Sequence, residues 1–131
     1  MEHALSGFYP ELAHGRGLAT LYPAYFRWLL AKGRARERLA QLGARIFGLD
    51  ADEGDAAEGF IEHFEQWLAD NDLRQSLTEL RIAEKDFPAI AAYAVKVYGD
   101  GKQLEALGPL TAADIVEIYE ATAAQSETVV T

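Results

Sequence analysis

Between His14 and Ala31 the apolar residues Leu18, Leu21, Tyr22, Tyr25, Phe26 and Leu29 recur at three- and four-residue steps, the period of one face of an α-helix. Further stretches repeat this step, and none alternates apolar and polar residues as a half-buried strand does. Arg34 to Phe47 places Leu39, Leu42 and Ile46 on one face and stops at Gly48. Ala56 to Ala69 turns Phe60, Ile61, Phe64, Trp67 and Leu68 inward, and Glu84 to Tyr98 does so with Ile90, Ala94 and Val97. A last helix follows Gly108 and Pro109, with Thr111 and Asp114 as a capping box and Ile115, Ile118, Tyr119 and Thr122 along its inner side. The expected fold class is therefore all-α, a bundle of about five helices.

Local punctuation refines this. Residues 2–6 read as the tail of a helix stopped by Gly7 and turned by Pro10, an opening that suggests a shortened parent. Pro23 predicts a kink or a fresh start near Tyr22. The segment NDLRQSLTELRI reads as a loop with at most one helical turn, packing Leu73, Leu77, Leu80 and Ile82. One helical domain is expected over residues 1–124, with a frayed tail over 125–131 where no period remains.

Composition narrows the functions. A net charge of −9 argues against nucleic acid as a partner, because phosphate binding calls for clustered Lys and Arg. Lys32, Arg34, Arg36 and Arg38 do cluster, but Glu37 interrupts them and they read as a solvated helix face. No long uncharged apolar run is present, so no membrane span is expected, and the residues after Met1 lack the pattern of a signal peptide, which makes a cytoplasmic location the expectation. Without cysteine there is neither a disulfide framework nor a thiolate ligand or nucleophile.

The chemistry-bearing residues concentrate in Glu2 to Trp28. Here lie His3, His14, Gly15, Gly17 and the aromatic residues Phe8, Tyr9, Tyr22, Tyr25, Phe26 and Trp28. A histidine followed by glycine suits an imidazole facing a cleft, since glycine lets backbone approach closely. Gly15 and Gly17 lack the third glycine and the preceding strand of a dinucleotide cradle. Glu11 and His14 form a Glu-x-x-His step without the second such step that a di-metal bundle needs. His63 beside Glu62 reads as a solvated histidine, and the acidic run from Asp50 to Asp55 as a loop feeding charge to a helix N-terminus rather than a calcium loop.

The run EHALSGFYPELAHGRGLATLYPAYFRWL, followed in order by RLAQLGARIFGLD, FEQWLADNDLRQSLTELRI, FPAIAAYAV and PLTAADIVEIYEA, resembles the C-terminal helical domain of the iron-dependent (group III) alcohol dehydrogenases, near their butanol dehydrogenase-like branch. The resemblance spans nearly the whole chain. It implies a two-domain enzyme in which an α/β domain holds NAD(P) and the helical domain helps to bind a divalent metal, iron or zinc, through one Asp and three His. His14 matches the last ligand histidine. His3 matches an additional active-site histidine near the nicotinamide. The ligand histidine before His14 would fall about one helical turn ahead of His3, off the start of this chain.

Ala13 stands where relatives often carry proline, and the interval from His3 to His14 is slightly longer than in many of them. Neither NAD(P) nor metal is expected to bind firmly to this chain alone, which is expected to be catalytically incomplete. The resemblance implies a small alcohol or aldehyde substrate in an intact or complemented enzyme. Two alternatives stand beside this: a split enzyme whose nucleotide-binding domain is a separate chain, and a non-catalytic module that self-associates into a homo-oligomer through an apolar surface around Phe8, Tyr9, Leu18 and Tyr22.

Overall fold

The structure, a computed structural model, describes residues 1–104 and 109–130, with side chains through Ala123. Within them lie six α-helices: α1 (Glu2–Phe8), α2 (His14–Ala31), α3 (Arg36–Phe47), α4 (Ala56–Asp70), α5 (Phe87–Tyr98) and α6 (Ala112–Val130). The all-α reading holds, with the opening residues forming a short helix of their own. Gly7 does not stop α1. The helix ends at Tyr9, which leaves the helical region (φ −125°, ψ 79°) just before Pro10, a residue that disfavours the α conformation in its predecessor.

α2 runs on through Pro23, so no fresh helix starts near Tyr22. Proline removes one backbone donor, but Thr20, Leu21, Pro23, Ala24, Trp28 and Leu29 are all buried, and packing on several sides supplies what the lost hydrogen bond does not. α2 is the central element, packing against α1, α4 and α6. α5 packs on α1 and α6, and α3 pairs with α4.

The main core joins Leu5, Leu21, Leu29, Leu77, Ile82, Phe87, Ile90, Ile115, Ile118 and Tyr119. A smaller cluster of Leu39, Ala57, Phe60 and Ile61 ties the α3–α4 pair to α2 through Phe26 and Leu30. Several residues assigned inward by periodicity are open instead: Leu42, Ile46, Trp67 and Val97 are exposed. Each lies at the margin of its helix's apolar stripe, and neighbouring elements cover only the centre of that stripe.

The punctuation after α3 and before α6 matches expectation. Gly48 takes φ +70°, which lets its N–H reach Ala44 O at 3.2 Å while Leu49 N–H reaches Gly43 O at 3.2 Å, closing the helix. Thr111 and Asp114 cap α6 reciprocally, at 3.0 and 3.2 Å. Residues 72–83 form the expected loop, with Leu77 and Ile82 buried and Leu73 and Leu80 half-buried. A 3-10 turn at Glu84–Asp86 precedes α5, which therefore starts at Phe87.

Two features were not expected. Gln103–Leu104 (β1) and Leu110–Thr111 (β2) pair antiparallel, too short for alternation to register in sequence. The backbone of α6 continues to Val130 through the stretch that lacks period; the side chains of the expected tail, Thr131 and Gly108 lie outside the described residues. No helix among the described residues is long and apolar enough to cross a membrane.

Candidate functional site

The two N-terminal histidines meet. The loop between α1 and α2 is pinned by Tyr9, whose hydroxyl donates to Asp86 Oδ2 at 2.6 Å and accepts from Ala83 N–H at 3.2 Å. The hydrogen bond to the Asp86 carboxylate raises the Tyr9 pKa above its ordinary value. This tether starts α2 beside α1, so that His14, the first residue of α2, stacks on His3 with ring centroids 4.6 Å apart and planes inclined by 19°. On its other side His3 lies 5.5 Å from the Tyr98 ring at the end of α5. Three helices thus contribute to one ladder of rings.

Beneath the ladder is a carboxylate that sequence reasoning missed. Glu2 is buried, and its Oε2 lies 2.9 Å from His14 Nδ1. Ser6, one turn along α1, donates its hydroxyl to the same carboxylate. The His14 side chain is 49% exposed while the Glu2 side chain is 2% exposed, so the imidazole links a buried carboxyl group to the surface. The carboxylate that reaches His14 is therefore Glu2, twelve positions upstream, and not the nearby Glu11 of the Glu-x-x-His step.

The glycines divide the roles expected of them. A Cβ on Gly15 would meet nothing within 4 Å, so the His-Gly pair is not a point of close approach. A Cβ on Gly17 would stand 2.7 Å from the Glu2 side chain. Glycine at that position is what makes room for the carboxylate. Both glycines sit in the first turn of α2, which follows a turn and not a strand, unlike a dinucleotide cradle.

An apolar cleft of about 210 Å³, lined by Met1, Glu2, Leu18, Leu21, Tyr22 and Leu104 among others, opens beside the same stretch of α2. Among the described residues no group of three or more His, Asp or Glu is placed to hold a metal. His14 does fit the part of one ligand, being a half-exposed imidazole with one nitrogen anchored to a carboxylate.

The other candidates lie elsewhere. His63 is exposed on α4, its Nδ1 2.8 Å from Gly59 O, as expected of a solvated histidine. The basic run is not one helix face, because Lys32 and Arg34 belong to the α2–α3 connection and Arg36 and Arg38 to α3. Lys32 and Arg34 lie over the Trp28 ring at 5.6 and 5.3 Å, and Arg36 pairs with Glu58 through two bonds of 2.7 Å. Of the expected apolar surface, Phe8 and Tyr22 are exposed, while Tyr9 is half-buried under its tether. A wider apolar groove of about 340 Å³ lies along Tyr22, Phe26, Ile46, Phe47, Phe64 and Trp67.

The described residues form an all-α domain in which His3 and His14 stack and the buried Glu2 carboxylate backs His14. Residues 1–123 match the model of the Fe-containing alcohol dehydrogenase family, C-terminal, and the chain belongs to that family. It is 27% identical over 122 residues to the NADH-dependent butanol dehydrogenase A of Clostridium acetobutylicum and 31% identical over 125 residues to the long-chain primary alcohol dehydrogenase AdhA of Thermoanaerobacter ethanolicus. Each match covers 92% of this chain and 30% of the relative. The crystal structure of NADH-dependent butanol dehydrogenase A from Thermotoga maritima superposes with a TM-score of 0.76 at 26% identity, covering 93% of this chain and 31% of that one. The chain thus spans about 30% of the length of the relatives it matches.

Proposed function

We propose that the chain is the metal-facing helical part of an NAD(P)-dependent alcohol dehydrogenase that interconverts small alcohols and aldehydes. His14 supplies one imidazole ligand to a divalent iron or zinc, and His3 stands beside it near the nicotinamide. A bound divalent metal would serve as a Lewis acid on the alcohol or aldehyde oxygen during hydride exchange with the nicotinamide. The chain's own contribution is positional. Glu2, itself bonded by Ser6, holds the His14 ring, the His3 ring packs against it, and the apolar cleft along Leu18, Leu21 and Tyr22 keeps water from the substrate's carbon chain.

The observation that carries this reading is the anchored, half-exposed imidazole of His14 in a chain that belongs to this family. One imidazole cannot hold a catalytic metal, because such sites use about three protein ligands. The remaining ligands and the cofactor-binding surface then come from an α/β nucleotide-binding part, whether joined to this chain or separate from it. The purified chain with iron or zinc, NAD(P)H and a short aldehyde is expected to show no cofactor oxidation above background. Joined to the nucleotide-binding part of a butanol dehydrogenase, it is expected to turn over, and His14→Ala is expected to abolish the activity. Turnover by the chain alone, or a joined enzyme indifferent to His14→Ala, would overturn the reading.

A second reading, a non-catalytic module that self-associates, is favoured by the aromatic groove, where Ile46 and Trp67 are 61% and 48% exposed. Light scattering separates the two: a concentration-independent monomer counts against self-association.

A further inference from the structure

The geometry points to Glu2 as the positioning residue of His14: its buried carboxylate keeps the proton of the neutral imidazole on Nδ1 and so turns bare Nε2 outward, as the donor for a divalent cation. This rests on His14 being a metal ligand, as proposed above. The 2.9 Å contact between Glu2 Oε2 and His14 Nδ1 has the geometry of a carboxylate oxygen accepting a proton carried on Nδ1. With that proton on Nδ1, Nε2 across a ring that is 49% exposed is the nitrogen left to donate its lone pair.

The surroundings of Glu2 are built for this task. An acidic residue in the first turn of a helix ordinarily favours the helix dipole from the surface, yet Glu2 is buried. Burial of a carboxylate is costly unless donors meet it, and here Ser6 meets one side and His14 the other. Gly17 leaves the space that the carboxylate fills, since a Cβ there would stand 2.7–2.8 Å from Glu2 Cγ, Cδ and Oε1. A ligand histidine whose second nitrogen donates to a carboxylate has its tautomer and ring plane set before the metal arrives, and loss of such a partner lowers metal affinity by about 10–100-fold.

The test reads the tautomer directly and needs no metal. In the uniformly ¹⁵N-labelled chain, at a pH where the ring is neutral, the His14 nitrogen shifts are expected to show Nδ1 protonated and Nε2 bare. Glu2→Gln keeps the shape but offers an amide that donates as well as accepts, and Gly17→Ala pushes the carboxylate aside without removing it. Both are expected to move the proton toward Nε2, the position that free imidazole favours, with the helical circular dichroism retained. A purely structural role for Glu2 would leave the tautomer unchanged. A wild-type ring protonated on Nε2 overturns the assignment, as does retention of the Nδ1 proton in whichever variants stay folded. Either result would leave the ligand role of His14 standing, whereas a joined enzyme indifferent to His14→Ala would remove that role whatever the tautomer.

Discussion

Glu65 on α4 offers a quantitative test of how the helices around α2 are held. Its carboxylate, 8% exposed, takes a hydrogen bond from Arg27 of α2 and forms an ion pair at 2.7 Å with Arg74 of the loop after α4. Arg74 is 24% exposed and Arg27 is 48% exposed. A hydrogen bond to a charged partner contributes about 1.5–3 kcal/mol when sheltered, which suits Arg74, whereas solvent screening holds the Arg27 pair to under about 1 kcal/mol. Glu65→Ala removes both and strands Arg74, whose Nε finds no acceptor among the described residues. The expected loss is roughly 3 kcal/mol, at the lower end of the cost of breaking a buried pair.

Arg74→Met alone is expected to cost about 2 kcal/mol, because Arg27 still partners the carboxylate. Glu65→Leu combined with Arg74→Met leaves no uncompensated buried charge and is expected to return to within about 1 kcal/mol of wild type. Urea unfolding followed by circular dichroism, with the slope checked for constancy, measures all three. If Glu65→Ala falls within about 0.5 kcal/mol of wild type, the set behaves as an exposed ion pair and the reasoning from burial fails.

Other expectations follow from single contacts. Arg36 lowers the Glu58 carboxyl from its usual 4.5 to about 2. The folded pKa is the lower one, so the contribution is complete above the unfolded value and is lost as pH falls through the window from 4.5 to about 2. Carboxyl NMR is expected to find the Glu58 midpoint in the lower part of that window, and Arg36→Met to return it upward; an unmoved midpoint would sink the pairing. Tyr119, fully buried, donates its hydroxyl to Met1 O at 2.9 Å, so Tyr119→Phe is expected to cost about 1 kcal/mol and to speed hydrogen exchange selectively in α1. Uniform exchange would refute the local tie. Arg81 is exposed at φ +62°, so Arg81→Gly is expected to raise stability by about 0.5 kcal/mol, the relief of strain less the added freedom of the unfolded chain. A lower melting temperature would count against it.

Much of the architecture was legible because it is local. Helical period, the Gly48 stop and the Thr111–Asp114 cap are set within a few residues of one another, and they located α2 to α6 closely. The family was legible too, from the collinear order of motifs over residues 1–123. Where stripes ended was less so: Leu42, Ile46, Trp67 and Val97 fit the period yet lie open, since period tells which face is apolar and not how much of it a neighbour covers.

The site divides the same way. His3 and His14 could be singled out by residue type and by resemblance, but nothing in their spacing says that the rings stack, because that depends on Tyr9 bonding Asp86 seventy-seven positions away. In the sequence Glu2 belonged only to what read as the tail of a helix, and Gly17 to an incomplete glycine cradle. Only the packing of α1 against α2 buries that carboxylate beneath His14 and gives Gly17 its purpose, since hydrogen bonding across helices is decided by where their axes cross, a property that no local pattern carries.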